Sequence, residues 1–281
     1  MSPNNDMEAY SPKQIAQRVE AVGVTKANLD TLSTLLLAIL AGAFISFGAL
    51  LYTFIIHDSS FGLGLTRLAG GLGFCLGLIL VVVAGAELFT GNNLLTIACV
   101  SGQIRMTKLL RNWGLVFLGN LLGALGTAVL IYISNYWLAN DGKVGEVTVL
   151  IANNKVNLGF AEAFTRGILC NVLVCLAIWL CFAGHSVTDK ILSILFPITA
   201  FVALGFEHSV ANMYFIPAGM MALNDPVVLA AIPEGTDLSR LNIWDFLVNN
   251  LLPVTLGNIV GGGILVGVVY WVIYLRNEKK T

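Results

Sequence analysis

Charge is what this chain most lacks. Only 11% of its 281 residues are Asp, Glu, Lys or Arg, 57% are hydrophobic, and the mean hydropathy is +0.84. A soluble enzyme carries more charge than this, so the composition points to a chain that crosses a membrane several times. The few charges nearly cancel, to a formal −1, and overall charge therefore suggests no nucleic-acid partner. Five cysteines (Cys75, Cys99, Cys170, Cys175 and Cys181) lie in apolar stretches without a Cys-x-x-Cys pair, which reads as buried free thiols rather than disulfides or a zinc site. Phosphate-binding loops, metal-ligand clusters and nucleophile motifs are also missing from the sequence. Nothing in it supports an ATP-driven pump, a cofactor, a bound metal or a conventional enzyme. Residues 1–30 are polar and mixed in charge, unlike a secretory signal.

Long apolar windows are present instead. Those without charge run over 31–56, 68–86, 112–140, 167–188, 191–206 and 246–275. The second continues past Glu87 to 104 and the fifth past Glu207 to 224. A spanning helix needs about 20 apolar residues. The second and fifth windows exceed that by roughly half and are cut in the middle, as a broken helix would be. The cuts are alike: Gly85-Ala86-Glu87-Leu88-Phe89-Thr90-Gly91-Asn92 and Gly205-Phe206-Glu207-His208-Ser209-Val210-Ala211-Asn212 both hold Glu-x-x-x-x-Asn, 120 residues apart. An acid, a histidine and free backbone are costly in hydrocarbon unless they line a cavity or meet partners within the protein.

Six crossings with both termini inside place ten basic residues inside: Lys13, Arg18, Lys26, Arg105, Lys108, Arg111, Lys190, Arg276, Lys279 and Lys280. Five (Arg67, Lys143, Lys155, Arg166 and Arg240) fall outside, which suits the positive-inside rule. Asn112, Leu118, Gly119, Asn120 and Gly123 recur as Asn250, Leu256, Gly257, Asn258 and Gly261, each offset by 138. Two three-helix halves, 31–140 and 160–275, are therefore expected, and an odd number of crossings makes the repeat inverted. The expected architecture is an all-α integral membrane domain over 31–275. A cytoplasmic tail over 1–30 carries one short amphipathic helix from Ser11 to Val22 lying on the membrane surface, and 276–281 form a cytoplasmic C-terminus.

Among the three histidines, His57 and His185 sit at membrane edges and read as solvated end residues. His208 stands beside Glu207 at a break in mid-membrane, where it is either a neutral ring satisfied in a helix contact or a donor of a hydrogen bond or proton to something passing through. Glu87 and Glu207 would repel an anion unless paired, and both lean towards structural roles. Lys155, in the polar outer loop 153–157, is a candidate partner for Glu207. Asn171 is a buried amide that must find partners. Thr90 and the half-helix starts near Asn92 and Asn212 offer donors and positive dipole ends, which suits a small anion or a polar neutral solute.

At these residues the chain resembles the formate/nitrite transporter family, and within it the bacterial formate channels. Segments 84–92, 167–177 and 205–212 match three family signatures in order, and the likeness covers roughly residues 10–277. The resemblance implies an aquaporin-like protomer in the bacterial inner membrane, assembled as a homopentamer with one pore per protomer. It places His208, Thr90 and Asn212 at the pore centre and Lys155, Glu207 and Asn171 in a polar network behind it. Phe74, Val174 and Phe201 become the outer constriction, Leu78, Leu88 and Phe89 the inner one, and the Leu88-Phe89-Thr90 loop a gate. Formate is anionic at neutral pH, its pKa being near roughly 3.5 as for an α-carboxyl group. The function expected is thus passive or proton-linked passage of formate and similar small monovalent anions. Nitrite or hydrosulfide is the alternative within the family, a water or glycerol pore the alternative outside it. An intramembrane enzyme using Glu207 and His208 lacks a second catalytic group.

Overall fold

The computed structural model describes residues 8–277. Lys279 and Lys280 lie outside that range. All regular structure among the described residues is helical. Five helices are long and apolar enough to cross a membrane: α2 (Thr31–Ile56), α3 (Leu63–Gly85), α5 (Met106–Ile133), α7 (Phe160–Cys181) and α11 (Asp245–Tyr274). Between them stand α1 (Pro12–Ala27), the apolar α4 (Gly91–Val100), α6 (Lys143–Val156), α8 (Val187–Ala203), α9 (Ser209–Ala222) and α10 (Pro226–Ala231).

Local chemistry sets the limits of several of these. Asp30 caps α2 by accepting from the Ser33 amide at 2.9 Å, and Ser186 with Asp189 forms a capping box on α8. Helix α3 widens to π geometry over Leu80–Gly85 and then stops, because Gly85 adopts φ +86°. Helix α8 is followed in the same way by Gly205 at φ +71°. After each glycine a short extended segment carries the acid, and helix resumes at Gly91 and at Ser209. The restarts lie one residue before Asn92 and three before Asn212.

Helix α1 differs from expectation in two ways. It extends beyond Val22 to Ala27, closed by Asn28, and its apolar face is covered: Ile15, Ala16 and Val19 pack with Leu94, Ile97, Trp179 and Val266. It is a docked element and not a helix lying free on a surface. Lys155 also departs from its expected loop and occupies the last turn of α6.

Helices α2 and α5 approach closely. A Cβ on Gly123 would stand 2.0 Å from the Ile39 carbonyl oxygen, and one on Gly261 would stand 2.2 Å from that of Ile168, in the contact of α7 with α11. Gly123 and Gly261 are separated by the same 138 residues as the asparagines. Only glycine permits such backbone approach, the general device of apolar helix contacts in lipid. At the start of α2, Arg111 donates to Thr31 Oγ1 and to the Leu29 carbonyl. Just past its other end, Asp58 meets Lys143 of α6 at 3.6 Å. The α1 end and the α6 end of the molecule are thus separated by the 26 residues of α2, about 39 Å at 1.5 Å per residue.

Candidate functional site

The two interrupted segments build two versions of one hydrogen-bonded cluster. In the first, Glu87 meets Lys26 Nζ at 2.9 Å and accepts from Asn92 Nδ2 at 2.6 Å. Asn92 Nδ2 also donates to Asn112 Oδ1 at 2.9 Å, and Asn112 Nδ2 donates to the Lys26 carbonyl at 3.4 Å. In the second, Glu207 meets Lys155 Nζ at 2.8 Å and accepts from Asn212 Nδ2 at 2.6 Å. Asn212 Nδ2 donates to Asn250 Oδ1 at 2.7 Å, and Asn250 Nδ2 to the Lys155 carbonyl at 2.9 Å. Both acids are buried, and both lysines come from the last turn of a short helix that precedes a long one.

A second asparagine pair secures the extended backbone. Asn120 donates to the Ala38 and Glu87 carbonyls and accepts from the Phe89 amide at 2.9 Å. Asn258 donates to the Gly167 and Glu207 carbonyls and accepts from the Ser209 amide at 2.9 Å. Backbone groups freed where a helix stops are thereby satisfied inside the protein, as apolar surroundings demand. The equivalence Phe89 with Ser209 makes Leu88 the counterpart of His208, and the Leu88 and His208 carbonyls accept from the Asn92 and Asn212 amides alike.

The clusters meet at Thr90 and His208. Thr90 Oγ1 and His208 Nε2 lie 2.9 Å apart, both residues buried. His208 Nδ1 accepts from the Ala211 amide at 3.0 Å, so the ring caps α9. Asn171 donates to the Thr90 carbonyl, to Asn93 Oδ1 and to the Asn258 carbonyl, tying α7 to the first segment and to α11. Cys175 Sγ adds a contact to the Thr90 carbonyl at 3.4 Å. All five cysteines are free thiols.

The residues expected in the apolar rings are buried in one cluster. Phe74 and Phe201 meet edge to face with centroids 5.6 Å apart, and Phe201 stacks on His208 at 5.8 Å. Leu78, Leu88, Phe89 and Val174 are buried in the same apolar cluster, with Phe89 against Phe117 and Trp113. A cavity of 570 Å³ opens at the α1 end, with Lys26, Glu87, Asn92 and Leu88 in its wall. A smaller one of 70 Å³ lies towards the α6 end, bounded by Lys155, Glu207, His208, Phe74, Phe201 and Phe215. Leu88 lines the larger cavity and His208 the smaller one.

Sequence reasoning singled out Glu87, Glu207, Lys155, Asn171, Thr90, His208 and Asn212, and the structure brings these into one network. Lys26 was counted only as a tail charge. The signal for it was available, since a buried Glu87 needs a cation as much as Glu207 does. The four asparagines were seen as repeat markers and are ligands of the acids and of the backbone. His57 and His185 stay apart from the network and bond to the Phe54 and Glu8 carbonyls. In the connection between α10 and α11, outside the long helices, hydrogen bonds from Ser239 hold Asp237 below the usual carboxylate range, and its carbonyl receives Asn153 Nδ2.

Helices long and apolar enough to cross a membrane, with a buried polar contact and two cavities with charged groups in their walls, suit the architecture of membrane channels and transporters. Comparison with known proteins gives the family. The family model described as Formate/nitrite transporter matches residues 13–272, so the chain belongs to the formate/nitrite transporter family. It is 42% identical to the formate channel FocA of Escherichia coli (strain K12) over 99% of both chains. Among solved structures it resembles a pentameric formate channel with formate bound, at TM-score 0.79 and 40% identity, covering 88% of this chain and 98% of that one. An FNT family ion channel gives TM-score 0.80 at 29% identity, over 92% of this chain and 98% of the other.

Proposed function

We propose that the protein conducts formate and similar small monovalent anions across the bacterial inner membrane, through one pore in each protomer of a homopentamer. The observation that carries this reading is the buried Thr90–His208 hydrogen bond, with two cavities nearby whose carboxylates are each neutralised by a lysine. A bare carboxylate would repel an entering anion, but a Lys–Glu pair does not, and the lysines offer a positive field at either mouth. The relatives named as formate channels, one of them pentameric, support both the substrate and the assembly.

In this reading α3 with α4 is the second crossing and α8 with α9 the fifth, each broken at its glycine. With α2, α5, α7 and α11 they make six crossings as an inverted 3+3 repeat, aquaporin-like in plan. The end contacts of the helices support the inversion, since α2 and α5 start at the α1 end whereas α7 and α11 start at the α6 end. The α1 end is the cytoplasmic one, which puts Lys26, Lys108 and Arg111 inside and leaves both termini there. Phe74, Val174 and Phe201 close the outer side of the pore centre and Leu78, Leu88 and Phe89 the inner side. The anion sheds water at these rings and takes hydrogen bonds from the His208–Thr90 pair and the freed backbone in exchange.

Uptake into vesicles carrying the purified protein tests this, with formate, nitrite, hydrosulfide, chloride and glycerol compared at two pH values. Formate entering faster than chloride and glycerol is the expected result. Rapid glycerol entry without formate preference would make the pore a neutral-solute channel of the same architecture.

A further inference from the structure

The direction of the hydrogen bond at the pore centre follows from its other end. A backbone N–H can only donate, so the Ala211 amide, 3.0 Å from His208 Nδ1, requires a lone pair on that nitrogen. The proton of the neutral ring is then on Nε2, and Nε2 donates to Thr90 Oγ1. Among the described residues the Thr90 hydroxyl makes this one hydrogen bond, so its own hydrogen is left to donate elsewhere. The Ala211 amide makes no other hydrogen bond among the described residues, being one of the first-turn donors that a helix cannot satisfy by itself.

We propose that the Ala211 backbone amide is a positioning group that locks His208 in its Nε2–H tautomer, so that the pore centre presents donors only, the ring N–H relayed to the Thr90 hydroxyl. Two consequences follow for the ring. Giving up its single proton would turn it into an anion in apolar surroundings, and taking a second one on Nδ1 would break the cap of α9. The charged groups facing the ring do not invite that second proton. Glu207 is already bound to Lys155 of α6, and the Arg67 and Arg166 guanidinium groups, from α3 and α7, flank Gly205 three residues upstream. From α8 and α3 it is faced by the uncharged Phe201 and Phe74. His208 therefore acts by hydrogen-bond donation, and the anion passes it without exchanging a proton with the ring. This deepens the proposed function and rests on it only for the identity of the passing anion.

Nitrogen NMR of the full-length protein in lipid, with 15N-histidine labelling, reads the tautomer directly. Signals of His208 are identified by their loss in His208→Asn. The expected spectrum at pH 7 has His208 as a single Nε2–H form with Nδ1 accepting a hydrogen bond. An Nδ1–H form or a doubly protonated ring at that pH would overturn the assignment. Ala211→Pro removes the donor at a first-turn position where proline is tolerated, and should release the lock as a mixture of tautomers. A wild-type spectrum in that variant, provided it folds, would also overturn it. If it does not fold, the wild-type spectrum decides alone. On the transport side, Thr90→Ser should keep formate flux and Thr90→Val should lower it about tenfold or more, the scale of one hydrogen bond to a charged group. Equal flux in both would remove the hydroxyl from the relay. The spectra stand whether or not formate is the preferred solute, so failure of the lock and failure of the substrate reading are separate results.

Discussion

The Glu87 cluster and the Glu207 cluster share the same parts, and the places where they differ mark where symmetry gives way to function. Each has a buried acid, a lysine from a short helix, one asparagine five residues after the acid, another across the helix contact, and a third that pins the backbone. Three differences stand out. Lys26 is 27% exposed and Lys155 15%. Lys26 Nζ donates to Asn92 Oδ1 at 3.0 Å, whereas Asn212 Oδ1 is buried without a partner. Most of all, Leu88 in the first cluster is His208 in the second. The scaffold is duplicated because every broken helix faces the same problem of unpaired backbone and buried charge. In the proposed reading the ring is placed once, because one polar contact is enough to hand an anion from one cavity to the other.

The largest effect that would break the comparison comes from the ion pairs. Lys155→Met leaves Glu207 buried without its cation and should cost about 3–5 kcal/mol in stability, read as a lower unfolding midpoint in detergent. Lys26→Met should cost roughly half as much, since its pair is more open to solvent. Glu207→Gln added to Lys155→Met should recover most of the loss. Equal costs at Lys26 and Lys155 would erase the difference in burial as an energetic fact.

Next are the pinning asparagines. Asn120→Ala and Asn258→Ala each strand two carbonyls and one amide, and each should lose about 2–3 kcal/mol by the same unfolding measurement. The two losses should agree within about 1 kcal/mol if the halves are equivalent here. Gly123→Ala and Gly261→Ala drive a methyl into a facing carbonyl, for about 1–3 kcal/mol each. The smallest effect sharpens the asymmetry. His208→Phe loses the cap on α9 and His208→Asn keeps one, so the asparagine variant should be the more stable by about 1 kcal/mol. No such difference is expected between Leu88→Phe and Leu88→Asn beyond the cost of burying the amide.

Much of the scaffold was legible in the sequence because broken helices in lipid leave conspicuous residues. Glu87 with Asn92 and Glu207 with Asn212 stand out where charge is scarce, and the 138-residue offset of Asn112, Asn120, Gly123 and their counterparts marks which helices pack closely. The role of Lys26 was hidden, because the polar stretch around it looks like any solvated tail and its partner lies 61 residues away. Placing Lys155 in a loop had a similar cause, since 153–157 is polar and only its packing under the α6 end makes it a helix turn. The halves, taken as 31–140 and 160–275, gain from this a further correspondence: α1 and α6 each deliver a lysine five residues before the next helix begins. The capping of α9 by His208 depends on where helix resumes after Gly205, a backbone detail that composition does not carry.

In the proposed reading, anions pass from one cavity to the other at His208 and Thr90. Formate uptake into vesicles with wild-type protein and with His208→Phe, at equal protein content and at two pH values, tests it most directly. Loss of most formate flux in the phenylalanine variant, in protein that still folds, is the expected result. Wild-type formate flux in that variant would overturn the reading.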